Sequence, residues 1–361
     1  AEITQGISVA STAAAIFCIP MGYLVDRIGP RRVGLIGVLV MSALFALLGT
    51  ATGTRSNWLS LWAIVALGAI WLQAPVWTSA VSTRFETSRG LAFAITLCGA
   101  SLSATVFPLL ATWLIGVYGW RMAFVVMGGV WAALVFPILL LFFRGANDVK
   151  NKNSESTRIS RENLPGLTFA EGLRSSALYK LLLAGGFFSF AAIAALVHFV
   201  PILKGAGATP MAAAGTASLI GIFSIVGRLT TGVLLDKFSG HKVGATVFLL
   251  PIIMATLLLF DGANPISQAI AAAALGFTVG SEVDVVAFLA SKHFGLKSFG
   301  ALYGALVMAL TLGTAFGPLT AGAVFDHFGN YAPFLQGTIV LMLISAAALL
   351  SLGKPPASQD V

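Results

Sequence analysis

Three ionisable side chains interrupt apolar segments of this sequence. Arg228 lies within SIVGRLTTGVLL, and Glu282 and Asp284 lie within GSEVDVVAFL. An ionised group among apolar residues needs a counter-charge or a ligand, because an unpaired charge is costly to desolvate. The arginine could hold an anion, since its planar guanidinium fits a carboxylate in a bidentate manner. The two carboxyl groups could carry a proton or neutralise the arginine.

The spacing of the two acidic residues limits how they can act. Residues two apart are about 200° apart around a helix, so Glu282 and Asp284 face different neighbours. We therefore expect at most one of them to point into a central cavity, while the other faces an adjoining helix. His198, in LVHFVPILKG near the end of another apolar segment, fits either a pH-sensitive outer gate or an interfacial side chain.

No enzymatic constellation accompanies these residues. The sequence has no glycine-rich phosphate loop, no cluster of metal ligands and no nucleophile paired with a base. It therefore predicts a protein that is not an enzyme, that needs no cofactor and no metal, and that does not use ATP.

The segments that carry these residues are predicted to lie in a membrane. Hydrophobic residues make up 58% of the 361 residues and charged residues only 9%, whereas soluble domains have about 25% charged residues. The apolar runs extend over roughly 20 residues, which is the length of a helix that crosses a bilayer. Strands of a membrane barrel would instead alternate polar and apolar residues. The sequence thus predicts an all-α membrane protein with the lipid bilayer as its surroundings.

The apolar runs predict eleven spans with short connections. Their ranges are 5–25, 33–52, 58–82, 90–116, 121–143, 177–203, 212–235, 242–261, 265–290, 298–324 and 331–352. The sequence begins with Ala1, almost directly in a span, and the number of spans is odd. We therefore expect that the first of twelve helices is missing.

Basic residues are unevenly distributed between the two sides of the predicted bundle. If the 26–32 turn is cytoplasmic, 17 of the 21 basic residues fall in cytoplasmic segments. Arg55, Arg121 and Lys204 fall on the other side. This asymmetry follows the positive-inside rule, so it predicts a cytoplasmic C-terminus and explains the net charge of +8 without a nucleic-acid partner. The short loops and tails suggest a bacterial inner membrane.

A long polar connection and an internal repeat divide the chain into two halves. The sequence predicts an N-terminal half over 1–143 with five spans, a cytoplasmic linker over 144–176 and a C-terminal half over 177–361 with six. An offset of 210 residues relates the two halves and predicts two parallel repeats. The matched positions are Gly22, Leu24 and Asp26 with Gly232, Leu234 and Asp236, Gly90 with Gly300, and Gly119 and Phe124 with Gly329 and Phe334.

The turn after the first span carries the most specific motif. It fits the pattern G-x-L-x-D-R-x-G-x-R-R through Gly22, Asp26, Arg27, Gly29, Arg31 and Arg32. A weaker copy follows in the second half at Gly232, Asp236, Lys237 and Lys242. The motif resembles the signature loop of the major facilitator superfamily, which joins the second and third helices of each half.

The chemistry of this loop suggests a gating role. Gly22 allows a neighbouring helix to approach closely, Asp26 can accept hydrogen bonds from a helix N-terminus, and Gly29 permits a tight turn. If this contact forms in only one conformation, the loop acts as a cytoplasmic latch for alternating access. The simpler interpretation is a plain positive-inside turn.

Three further segments resemble the monocarboxylate porter and oxalate/formate antiporter branch of that superfamily. They are SIVGRLTTG around Arg228, GPLTAGAVFDHFGNY over 317–331 and SRGLAFAI over 88–95. The resemblance implies that Arg228 binds a substrate carboxylate and that Gln73, Trp77 and Thr78 of the family's fourth helix line the cavity. Ser224 stands where animal monocarboxylate carriers have a carboxylate, four residues before the arginine.

Together these features predict a secondary active transporter of a small organic anion, by inference a carboxylate. Transport would proceed by alternating access, with proton symport or anion exchange, in a monomer. Glu282, Asp284 and His198 are the candidates for proton coupling or ion pairing. Two alternatives stay open: efflux of an amphipathic drug-like compound, in which Arg228 is structural, and a receptor that has the fold but does not transport.

Overall fold

The computed structural model describes residues 17–85, 88–143, 166–353 and 355. In these ranges the chain is helical apart from turns and one isolated bridge. The predicted start of the first span, 5–16, and most of the predicted linker, 144–165, lie outside the described residues.

Five helices form the first half of the described chain. They are α1 over 17–28, α2 over Pro30–Leu47, α3 over Arg55–Ile70, α4 over Ala74–Arg84 and α5 over Arg89–Phe142. A short 3₁₀ turn, Leu48–Thr50, follows α2. Seven helices form the second half: α6 over Phe169–Arg174, α7 over Ser176–Gly205, α8 over Pro210–Lys237, α9 over Gly240–Phe260, α10 over Pro265–Phe294, α11 over Phe299–Phe328 and α12 over Ala332–Leu350.

The helices confirm the predicted all-α membrane fold. Nine helical stretches of the described chain are long and apolar enough to cross a bilayer, and Arg89–Gly99 is a shorter apolar helix. Exposed side chains on these helices, such as Leu141, Val197 and Leu319, are large and apolar. Lipid can solvate such surfaces, whereas water cannot do so without cost.

The predicted 58–82 span is not one regular helix, because it breaks between α3 and α4. Residues 71–73 form a turn, and Gln73 is the N-cap of α4 with Pro75 in its first turn. Proline has no N–H to bond the carbonyl four residues earlier, and its ring clashes with that carbonyl. Pro75 therefore ends α3 at the carbonyl of Trp71 and frees backbone groups near the middle of the span.

The predicted boundary between the 90–116 and 121–143 spans is a sharp bend inside α5. Gly119 has a φ of 77° and a ψ of 162°, which is not helical. Its counterpart in the repeat, Gly329, has a φ of 71° at the C-cap of α11. Glycine adopts a positive φ at no steric cost. The two positions thus end equivalent helices in the two halves.

Helices α8 and α10 are in direct backbone contact. A Cβ atom at Gly280 would overlap the carbonyl oxygen of Ser224, and one at Gly276 would overlap that of Ile220. Gly227 makes the reciprocal contact with the carbonyl of Phe277. Small residues allow membrane helices to approach closely in this way. The contact brings the polar side chains of α8 and α10 face to face.

The end of the predicted linker packs against the second half. Gly166 forms an antiparallel bridge with Gly295, and the N–H of Leu167 donates to the carbonyl of Phe294 at 2.8 Å. Thr168 and Glu171 then form a reciprocal capping box at the start of α6. Because Thr168 hydrogen bonds to the carboxylate, the pKa of Glu171 is lowered from its ordinary value.

Candidate substrate site and gate

Arg228 and Asp284 form a buried ion pair at the contact between α8 and α10. Nη1 of the arginine lies 3.0 Å from Oδ1 of the aspartate. Arg228 is 7% exposed and Asp284 is fully buried. The two charges of a buried pair attract each other strongly. If one partner is removed, the other remains as an unpaired buried charge, which destabilises the fold. The two side chains are therefore strongly coupled.

The ion pair uses only part of its hydrogen-bonding capacity. Nε of Arg228 and Oδ2 of Asp284 are buried, and neither has a partner among the described residues. An unmade hydrogen bond at a buried polar atom costs about 1–3 kcal/mol. A small polar ligand that reached these atoms would recover this free energy, as a carboxylate could do at Nε.

Glu282 points to a different helix from Asp284, as the two-residue spacing predicts. Oε1 of Glu282 accepts a hydrogen bond from the hydroxyl of Ser189 on α7. Glu282 is 4% exposed and Ser189 is 1% exposed. The two acids therefore lie on either side of α10, one toward α7 and the other toward α8.

Neighbouring hydroxyl groups fix the α8–α10 contact beside the ion pair. The hydroxyl oxygens of Thr231 and Ser281 lie 2.8 Å apart, and the hydroxyl of Ser281 also donates to the carbonyl of Phe277. The hydroxyl of Ser224 donates to the carbonyl of Gly221 in its own helix, so it does not contact Arg228. The carboxylate that pairs with Arg228 thus comes from another helix, through Asp284.

The ion pair is close to the first half of the protein. Cys98 of α5 lies within electrostatic range of both Arg228 and Asp284. Tyr303 of α11 lies within range of both acids and of the arginine. Its hydroxyl is fully buried and has no partner among the described residues. The charged cluster thus lies on two helices, α8 and α10, that both pack against α5 of the first half.

The structure separates the three residues predicted on the fourth helix. Gln73 lies at the break between α3 and α4, where its Oε1 is 3.8 Å from the sulfur of Cys18. Trp77 donates its indole N–H to the carbonyl of Leu72 and packs against Phe143. Thr78 is buried, and its hydroxyl bonds the carbonyl of Ala74. The Gln73 amide thus faces α1, whereas Trp77 and Thr78 bond carbonyls four or five residues earlier in the chain.

His198 connects three elements at one end of the second half. Its Nε2 lies 3.0 Å from the carbonyl oxygen of Pro318 on α11, and its Nδ1 lies 2.9 Å from the hydroxyl of Tyr331. A carbonyl can only accept, so Nε2 carries the proton and Nδ1 accepts from Tyr331 in the neutral ring. Tyr331 also stacks against Phe325 of α11, with ring centroids 4.7 Å apart.

The aspartate of the first motif binds a helix of the other half. Oδ1 of Asp26 accepts from the N–H of Gly300, and Oδ2 accepts from the N–H of Ala301, each at 3.0 Å. These N–H groups belong to the first turn of α11, where the helix dipole favours a negative charge. Gly22 and Gly300 are in backbone contact directly beside this cap.

The second motif makes the equivalent contact in the reverse direction. Oδ1 of Asp236 accepts from the N–H of Gly90 at 2.6 Å, and Oδ2 accepts from that of Leu91 at 3.0 Å. A Cβ atom at Gly90 would lie 2.5 Å from the carbonyl oxygen of Gly232. We call the end of the bundle with Asp26 and Asp236 the motif end, and the end with His198 the opposite end. The two halves touch at the motif end.

The other motif residues have separate roles. Gly29 has a φ of 89°, which confirms the turn that its position predicts. Arg31 donates to the carbonyl of Leu140 at 2.6 Å and thereby caps the end of α5. The remaining basic residues of the two motifs are exposed, namely Arg27, Arg32, Lys237 and Lys242.

Some residues of this site were not predicted from the sequence. Ser189 lies in GGFFSFAA, where it is the one hydroxyl in an apolar run, and this could have marked it. Tyr303 and Tyr331 gave no such signal, because an aromatic residue in a membrane span is ordinary. Only the fold brings them close to charged or polar groups.

Comparison with known proteins identifies the class of protein. The Major Facilitator Superfamily profile matches residues 1–295. The chain therefore belongs to the major facilitator superfamily, and it is a multi-pass membrane transporter of a small-molecule substrate, not an enzyme.

Individual relatives place the chain more closely. It is 25% identical to monocarboxylate transporter 13 of Rattus norvegicus over 352 residues, which is 95% of this chain and 79% of the transporter. It is 24% identical to YhjX, an uncharacterized MFS-type transporter of Escherichia coli, over 86% of this chain and 74% of YhjX. A crystal structure of the E. coli fucose:proton symporter FucP has the same fold, with a TM-score of 0.72 at 17% identity over 98% of this chain and 93% of FucP.

Proposed function

We propose that this protein is a secondary active transporter of a small monocarboxylate, coupled to protons or to exchange of a second anion. The observation that carries the proposal is the 3.0 Å ion pair between Arg228 and Asp284, buried between α8 and α10. Arginine is the side chain best suited to hold a carboxylate at a fixed angle. The monocarboxylate transporters among the relatives support the same substrate class.

The ion pair suggests how proton and substrate are coupled. A substrate carboxylate and an ionised Asp284 would repel each other if both lay on one guanidinium. Protonation of Asp284 removes this repulsion and frees Arg228 for the substrate. One proton then enters with one monocarboxylate, and the net charge of the site does not change. Glu282 is the second candidate acid, since it lies on the same helix and bonds Ser189.

The contacts at the motif end support alternating access. Asp26 and Asp236 each hold a helix of the other half while the halves are together. Release of these four hydrogen bonds would open the motif end, which is the predicted cytoplasmic side. The bonds would form again each time the two halves close at the motif end. In this proposal the motif is a latch between the halves.

Uptake into proteoliposomes tests the proposal. The purified protein is reconstituted, and labelled monocarboxylates and dicarboxylates are offered with and without a pH gradient. We expect saturable monocarboxylate uptake that the gradient stimulates, a loss of more than about tenfold in Arg228→Lys, and uptake independent of the gradient in Asp284→Asn. Arg55→Lys, at an exposed position that begins α3, is the matched control.

Other results would replace the proposal. Unchanged uptake and pH dependence in both Arg228→Lys and Asp284→Asn would remove the assigned roles. Export of an amphipathic compound without carboxylate uptake would favour the drug-efflux alternative. Binding of a carboxylate without any counterflow would favour a receptor.

A further inference from the structure

A groove of about 740 Å³ lies between α8, α9 and α10 on the outer surface of the second half. Its three polar lining residues, Ser239, Lys242 and Thr246, lie together in the part of the groove nearest the motif end. The rest of its lining is apolar. Ile253 and Ile270 on its walls are 46% and 48% exposed, so the groove faces the hydrocarbon of the bilayer.

The second gating motif leaves a positive charge at the mouth of this groove. Asp236 is engaged with α5, and in the described part of the chain Lys242 has no carboxylate within ion-pair distance. Ser239 is the N-cap of α9, but its side chain makes no capping hydrogen bond. An ammonium group and a hydroxyl three residues apart are thus available to an anion.

The groove is long enough for a hydrocarbon chain. Its wall on α9 extends from Lys242 to Ile253, which is about 17 Å at 1.5 Å per residue. The ligand that fits has one anionic group at the motif end and an apolar tail directed toward the opposite end. A soluble anion would use Lys242 and leave the apolar part of the groove unfilled.

We propose that this groove binds an anionic phospholipid, with its phosphate on Lys242 and Ser239 and one acyl chain along α9, against the outer surfaces of α8 and α10. The predicted orientation places the motif end on the cytoplasmic side, where anionic lipids are attracted by basic residues close to the membrane surface. This lipid site does not depend on the identity of the transported substrate.

The bound chain would lie against the two helices that carry the ion pair. Phe277 lines the groove, and its carbonyl is in contact with Gly227, the residue before Arg228. An acyl chain against Phe277 would contact the α8–α10 pair about two helical turns before Asp284 on α10. The lipid therefore stabilises the helix pair that carries the charged cluster.

Lipid binding can be measured without a transport assay. The purified protein is placed in phosphatidylcholine nanodiscs with or without phosphatidylglycerol, and retained lipids are counted by native mass spectrometry together with the thermal unfolding midpoint. We expect phosphatidylglycerol to be retained preferentially and to raise the midpoint. Lys242→Gln should lower this preference about fivefold, as expected for one basic residue near an anionic headgroup. Lys204→Gln, exposed at the opposite end, should not.

A second variant tests the apolar part of the groove. Ala274→Phe places a ring in the groove and should abolish retention of both lipids there while Lys242 is intact. The proposal is overturned if Lys242→Gln keeps the full preference for phosphatidylglycerol, or if inorganic phosphate alone raises the unfolding midpoint as much as the lipid does. Equal retention of the two lipids by the unchanged protein would also overturn it.

Discussion

Asp26 and Asp236 make the same contact in opposite directions between the two halves. Each carboxylate accepts two backbone N–H groups from the first turn of a helix in the other half. The two caps differ in their surroundings, because Asp26 is 8% exposed and Asp236 is exposed. Hydrogen bonds to a buried carboxylate are less weakened by water. We therefore expect the cap at Asp26 to be the stronger of the two.

Asp26→Asn should destabilise the closed motif end more than Asp236→Asn does. Asparagine keeps one acceptor oxygen and loses the charge, and loss of a helix cap costs about 0.5–2 kcal/mol. The measurement is the rate at which a maleimide modifies Cys18, which is fully buried near this contact. Asp261→Asn, at the opposite end, is the control. Equal rates in all three variants would contradict the asymmetry.

Gly300→Ala should separate the halves at the motif end. A Cβ atom at this position would lie 2.6 Å from the carbonyl oxygen of Gly22, so α1 or α11 must move. Gly221→Ala on α8 is the matched control, because a Cβ atom at Gly221 would meet no other atom within 4 Å. Alanine is also more favourable than glycine inside a helix by about 1 kcal/mol. We expect faster modification of Cys18 in the first variant and a higher unfolding midpoint in the second. The opposite pattern would disprove the proposed close contact.

Removal of one partner of the charged pair should cost more than removal of both. Arg228→Met or Asp284→Leu alone leaves a buried unpaired charge, which costs about 3–5 kcal/mol. The double variant leaves none and should be closer in stability to the unchanged protein. Thermal unfolding of the four proteins in one detergent gives the coupling energy as a double-mutant cycle. Additive effects would show that the two side chains do not stabilise each other.

Tyr331→Phe should weaken the connection between α7 and the α11–α12 turn at the opposite end. It removes the hydroxyl that donates to His198 and should cost about 1 kcal/mol, because the partly buried Nδ1 loses its donor. Hydrogen exchange of residues 329–331 measures the effect. Tyr179→Phe, on the exposed surface of α7, should leave this exchange unchanged. Unaltered exchange in Tyr331→Phe would show that the hydroxyl does not hold the turn.

The fold was predictable from the sequence because its physical signals are local. The length of an apolar run gives the span, and the 210-residue offset relates positions such as Gly119 and Gly329 that end equivalent helices. The cap at Asp26 also follows from residue type and motif. The break at residues 71–73 was not predicted, because Pro75 within a long apolar run does not by itself interrupt a membrane helix.

The partners within the site could not be predicted from the sequence. The spacing shows that Glu282 and Asp284 face different ways, but it does not show which acid meets Arg228. That choice depends on how α7 and α8 pack around α10, and this depends on glycine contacts such as Gly280 with Ser224. Likewise, the contact between Trp77 and Phe143 joins residues far apart in the sequence, so it depends on the packing of α4 against the end of α5.

The bridge between Gly166 and Gly295 attaches the segment before α7 to the helices of the second half. Residues 166–174 cross the surface of α10 and α11 before α7 starts, so they belong to the second half although they precede its first span. If the chain is cut at residue 175, residues 166–174 are on a different fragment from α10 and α11. If it is cut before residue 166, they stay on the same fragment. Co-expressed fragments should therefore reassemble when the cut precedes Gly166 and should do so poorly when it follows Arg174.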